Sequence, residues 1–159
     1  MAERLSTGFA DALNITGSVK SIMTNFTIHI FSGTQPVNAD TTEGASTLLM
    51  KLTESSGAFV SGSPEFGLNF HTVSTAGVLP KATGETWSGV GLAAAGAGIV
   101  ATWFRAYANT VVTGDSTTAV RFDGAIGTSS TYEMQMSNTT IVQDVAAVVQ
   151  TFNYTTTKA

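Results

Sequence analysis

The chain has 159 residues, a formal net charge of −4 and only 11% charged residues, against about a quarter in an average globular domain. Hydrophobic residues make up 43%, which excludes a disordered chain. The Lys and Arg side chains stand singly along the sequence, which excludes a basic surface that reads nucleic acid through its phosphates. Cysteine is absent, so disulfides and thiolate metal sites are excluded too.

A chain of this length fits one domain that closes its own core. Met1-Ala2-Glu3-Arg4-Leu5 lacks the basic start and apolar run of a signal peptide, so no leader is expected. Ser6-Thr7 is placed to cap a short helix through Phe9, Ala12 and Leu13, which Gly17 ends, and Val19 to Met23 offers one more helical turn. Residues 1–25 are therefore expected as an N-terminal arm or short helix. Such a segment either docks on a neighbour or lies across its own sheet.

From residue 26 the apolar period changes to two, and residues 26–159 are expected as a single β domain. Phe26, Ile28 and Ile30 alternate with Thr27, His29 and Phe31 as in a half-buried strand, which Gly33 and Pro36 end. The next strands expected are Thr47 to Leu52, Leu68 to Val73, Val78-Leu79 and Glu85 to Leu92. Ala93 to Gly98 is too small-sided for a strand centre and reads as a turn or a close backbone approach. Ile99 to Ala108, Ala119 to Gly124, Tyr132 to Met136 and Val145 to Thr155 complete the series. Eight or nine strands with frequent turns predict a mostly-β antiparallel sandwich or jelly roll with a short N-terminal helical segment.

The uncharged stretch Thr86 to Phe104 is interrupted by Gly89, Gly91, Gly96 and Gly98. A spanning helix needs about 20 apolar residues, so no membrane span is expected. Those glycines also lack the helix start and downstream acid of a dinucleotide fingerprint. His29 and His71 each fall in a predicted strand with no third ligand or base partner nearby, so both read as ordinary strand residues. Asp115 and Asp123 read as turn residues, with calcium the one ion such positions bring to mind. Asn14, Asn25, Asn138 and Asn153 each open an Asn-x-Thr triplet, expected by chance in a Thr-rich chain. No catalytic residue, metal ligand or cofactor is assigned.

Trp87, Trp103, Phe104 and Tyr107 serve either as interface anchors or as core. Trp103 and Tyr107 share a strand face and read as core. Leu5, Phe9, Leu13 and Trp87 are the candidate interface residues. A surface clad mainly in Thr, Ser, Asn and Gly loses little on desolvation, which suits assembly.

Several segments together resemble a family of small virion structural proteins of tailed bacteriophages. They are Ile28-His29-Ile30-Phe31-Ser32-Gly33-Thr34-Gln35-Pro36, Gly67-Leu68-Asn69-Phe70, Glu85-Thr86-Trp87-Ser88-Gly89-Val90-Gly91, Trp103-Phe104-Arg105-Ala106-Tyr107 and Ala119-Val120-Arg121-Phe122-Asp123-Gly124. The resemblance implies a non-enzymatic virion protein, made in the host cytoplasm, and carries over no catalytic residues. Within that role the first expectation is a capsid decoration or cement protein, homo-oligomeric, such as a trimer, and bound to the major capsid protein or other virion proteins. A tail tube, baseplate or fibre-associated protein is the alternative. A carbohydrate- or cell-surface-binding module is a further one.

Overall fold

A strand with one apolar face needs a partner for that face, and here one sheet supplies it by curling onto itself. The computed structural model describes residues 3–156. In chain order the elements are β1 (Arg4–Leu5), α1 (Thr7–Ile15), α2 (Val19–Ile22), β2 (Thr27–Ser32), β3 (Thr47–Glu54), β4 (Val78–Pro80), β5 (Trp87–Val90), β6 (Ile99–Val100), β7 (Trp103–Tyr107), β8 (Arg121–Gly127), β9 (Met134–Met136), β10 (Thr140–Ile141) and β11 (Ala146–Thr155). Seven strands close a mixed barrel in the order β8-β7-β2-β3-β5-β11-β9 and back to β8. Every pair is antiparallel except β8–β9, which is parallel.

This corrects the expected sandwich or jelly roll. Alternation reveals which side chains share a face, but a face covered by a second sheet and one covered by the far wall of the same sheet look alike in sequence. Closure depends on features that alternation does not report. An extra residue on β3 opposite Ile30/Phe31, Leu49, and one on β11 between Val149 and Thr151 bend β3 and β11. Gly124 leaves room for the Phe104 ring on the neighbouring strand, since a Cβ there would sit 2.5 Å from it. β11 pairs with β5 and then β4 along one edge and with β9 along the other.

Other expectations are also revised. Leu68 to Val73 is not a strand: Leu68 and Phe70 are buried but make only single bridges, to Phe26 and Lys81. Ile99 to Ala108 divides, because the Ala101 amide donates to the Thr139 carbonyl and the Thr102 amide to the Phe31 carbonyl. β6 then pairs with β10 outside the barrel, while β7 lies inside it. Ala93–Ala95 form a 3-10 turn followed by Gly96 at φ +50° and Gly98 at φ +135°. Among the described residues no helix is long and apolar enough to cross a membrane.

The interior is aromatic. Phe152 lies 5.2 Å from Trp87, 5.3 Å from Phe104, 5.9 Å from Phe70 and 6.4 Å from Phe122, centroid to centroid. The N-terminal segment belongs to the same core. The Ser6 hydroxyl accepts from the Phe9 amide at 3.0 Å, capping α1, and Phe9 and Met23 are fully buried.

A second, polar layer lies outside the barrel. The strap formed by residues 33–46 crosses the outer face of β7 and β8. Trp103 and Tyr107, read from sequence as core, are buried there: Trp103 stacks on Phe31 at 4.4 Å, and the Tyr107 hydroxyl donates to Glu43. Arg105 grips Asp123 through two hydrogen bonds of 2.6 and 2.8 Å and donates to the Thr41 carbonyl of the strap. Asp123 is therefore a buried strand residue in an ion pair, not a turn residue facing solvent. Arg121 donates to four carbonyls, of Ala39, Asp40, Val112 and Gly114, and ties two loops to the barrel.

Phe152 touches four rings at once, so Phe152→Ala should cost about 3–5 kcal/mol in urea unfolding, the range for deleting a buried Phe. A loss below about 1 kcal/mol would show that the barrel does not depend on this cluster.

Candidate functional site

Outside the strap, the chain presents a surface of a different character. β5 and β11 pair with Val90 opposite Ala146 and Ser88 opposite Val148, so Val90, Ala146 and Val148 point outward together. The segments on either side are sewn to each other. The Gly91 amide donates to the Val145 carbonyl, the Asp144 amide to the Gly91 carbonyl and the Gln143 amide to the Gly96 carbonyl. Gly91 makes the approach possible, since a Cβ there would meet the Val142 carbonyl oxygen at 2.0 Å. In the β6–β10 ribbon Ile99 stands opposite Ile141 and Val100 opposite Thr140, so Ile99 and Val100 turn to opposite faces, both partly exposed.

Val90, Leu92, Ile99, Val100, Val145 and Val148 are 36–54% exposed, and Ala93, Ala94, Ala97 and Ala146 are exposed between them. Across residues 86–104 and 140–150 Asp144 is the sole charge. An apolar stretch this continuous, with so little charge, marks a contact surface.

The residues singled out from sequence lie elsewhere. Phe9 and Trp87 are fully buried in the barrel, and Leu5 and Leu13 are half-buried against it. Large aromatics are favoured both at interfaces and in cores, and type alone does not separate the two. The surface residues that sequence reasoning missed are small β-branched ones, and the available signal was the lack of charge from Thr86 to Phe104.

Two polar features complete the outer face. One is a row across five strands, Lys51, His29, Arg105, Asp123 and Arg4, each opposite the next. His29 is 7% exposed and packs on the Tyr107 ring at 4.7 Å. Burial lowers its pKa to about 4; Lys51 and Arg105 add to the shift and Glu43 opposes it. His71, in contrast, sits outside the strands, where its ring accepts from the Val73 amide.

The other is the seam where the barrel closes. β9 is only three residues long, and below it two glutamates bridge the opening. Glu133 accepts from the Ala125 amide on β8 at 2.9 Å, and Glu3 accepts from the Thr155 amide on β11 at 3.4 Å. Burial raises the Glu3 pKa to about 8, with the neighbouring Glu133 charge adding to it and the Thr155 amide opposing. These two, Tyr132 and Asn153 line a groove of about 570 Å³. Among the described residues no three His, Cys, Asp or Glu side chains gather to hold a metal ion. No protein family, no curated protein and no solved structure matches this chain at a significant level.

The folded-state pKa of His29 lies below the ordinary value of 6.5. As pH falls, the unfolded chain takes up this proton first, so the contribution present above pH 6.5 is lost on the way down to about 4. Between pH 7 and 4.5 His29 should account for a loss of ~2 kcal/mol in unfolding free energy. His29→Gln should flatten that part of the profile; an equally steep fall in the variant would assign the loss to other groups.

Proposed function

We propose that this chain is a structural protein of a tailed-bacteriophage virion, a decoration or cement protein that acts through protein–protein contacts. The observation that carries the proposal is the uncharged apolar surface from Val90 to Val100 and from Val145 to Val148. The virion assignment itself rests on the segments that resemble small phage virion proteins. A barrel held by its own aromatic core and by buried arginines is a rigid body, and a rigid body spends little ordering entropy when it docks. Copies of such a body on a symmetric shell add weak contacts into firm attachment, to neighbouring copies and to the major capsid protein alike. The tail is the alternative location, and electron microscopy of particles carrying labelled protein separates the two.

Val100→Glu combined with Val148→Glu places charge on an exposed position of each apolar segment without entering the core. The double variant should keep the native circular-dichroism spectrum and lose about tenfold or more in affinity for phage particles or for its own copies. The measurements are co-sedimentation with particles and mass in solution. Unchanged particle binding and mass in the variant would overturn the role of this surface. A wild-type protein that stays monomeric and binds neither heads nor tails would overturn the virion reading.

One observation favours a second reading, a carbohydrate-binding module. Tyr132 is 41% exposed and stands beside Glu3 and Glu133 in the seam groove. An aromatic ring next to hydroxyl-accepting carboxylates suits a sugar. Under this reading a glycan array gives a hit that Tyr132→Ala removes; an array without hits rejects it.

A further inference from the structure

The outer face of the barrel has a third region, covered neither by the strap nor by the apolar surface. There the loops 55–66 and 109–113 arch over the outward faces of β2, β3 and β5. The two loops are tied to each other: the Val111 amide donates to the Ser61 hydroxyl at 2.8 Å, the Gly62 amide to the Asn109 carbonyl at 3.1 Å and the Asn109 side chain to the Ser63 carbonyl at 2.6 Å. Between loops and sheet lies a half-open groove of about 600 Å³. Walls held by their own hydrogen bonds are formed before any ligand arrives, as in most small-molecule sites.

The chemistry of its lining is one-sided. Lys51 and His29 face it side by side, as cross-strand partners of β3 and β2. No Asp or Glu is among the lining residues, although the chain as a whole is acidic. Among the described residues the Lys51 ammonium forms no ion pair. Arg105, on the other side of His29, is already neutralised by Asp123 and Glu43. His29 is 7% exposed, and its ring makes no hydrogen bond to another of the described residues. Phe59, Val90 and Val111 supply the apolar part of the lining, Val90 beside Lys51 on the sheet and the other two from the loops.

From this arrangement we infer that the groove is a binding site for a small organic carboxylate. Its anionic head sits against the Lys51 ammonium and a His29 ring nitrogen, and its apolar body lies along Phe59, Val90 and Val111. An inorganic anion leaves the apolar lining unused, and a neutral apolar molecule leaves the lysine and the imidazole unpaired. The groups around His29 are Lys51 on β3, Arg105 and Tyr107 on β7 and Glu43 on the strap. A carboxylate placed there adds an opposite charge to a site where two cations disfavour the imidazolium, so binding draws a proton toward His29. The inference is independent of the virion reading, since the groove shares only Val90 with the apolar surface.

The chain contains just two histidines, which makes the test direct. The full-length protein labelled in its imidazole rings is titrated with benzoate at pH 6.5 and followed by NMR, with His71→Gln assigning the two signals and benzyl alcohol as the uncharged control. Benzoate should shift the His29 signal and not that of His71, saturate, and raise the pH at which His29 titrates; benzyl alcohol should do neither. Lys51→Gln, a change at an exposed side chain, should weaken benzoate binding by about fivefold or more. A His29 signal that benzoate leaves in place, a response to benzyl alcohol equal to that to benzoate, or undiminished affinity in Lys51→Gln would each overturn the inference.

Discussion

A single sheet that closes has no second sheet to lean on, and everything else in this molecule follows from how β11 makes the closure. Its ten residues serve both edges, holding β5 and β4 on one side and β9 on the other. The bulge between Val149 and Thr151 bends the strand so that Val149 and Phe152 both face the interior. Phe152 then stands at the centre of the aromatic cluster. Where β9 runs out, the backbone amides of Ala125 and Thr155 find glutamate carboxylates instead of a strand. The closing seam is thus acidic and grooved, while the rest of the wall is continuous.

Closure also decides what the outside looks like. Every barrel strand turns alternate residues outward, and the chain treats those residues in three ways. On β7 and β8 they are Trp103, Arg105, Tyr107, Arg121 and Asp123, too large and too charged to leave half-solvated. The strap covers them and supplies carbonyls and a carboxylate as partners. Removing one member of such a buried pair strands the other charge, which is why arginines of this kind hold loops in a defined place. On β2 and β3 the outward residues floor a groove. Where β5 meets β11, Val90, Ala146 and Val148 are small, uncharged and exposed.

Particular residues mark how far the sequence was legible. The cap at Ser6 and the end of α1 near Gly17 were readable, because capping chemistry is local. The inward set Phe26, just before β2, with Ile28 and Ile30 on it was readable from its period, and so was the turn after Ala93. Leu68 and Phe70 show the limit of that signal. They alternate and are buried, but their backbone meets its neighbours only at isolated bridges. β1 and β10, two residues each, are too short for a period to appear. Trp87 and Phe9 are chemically suited to an interface or to a core, and their core positions follow from contacts with Phe26, Phe152 and Phe122 that lie far apart in the chain.

The sequence by itself determined the mostly-β class, the short capped helix at the start, and a surface poor in charge, because each depends on neighbours within a few residues. Tertiary structure alone decided that the sheet is a barrel, that Arg105 meets Asp123 beneath a strap, and that Val90, Ala146 and Val148 form one surface. The reason is the same in all three cases. Pairing joins residues distant in sequence, and its register depends on bulges and glycine clearances that leave no periodic trace.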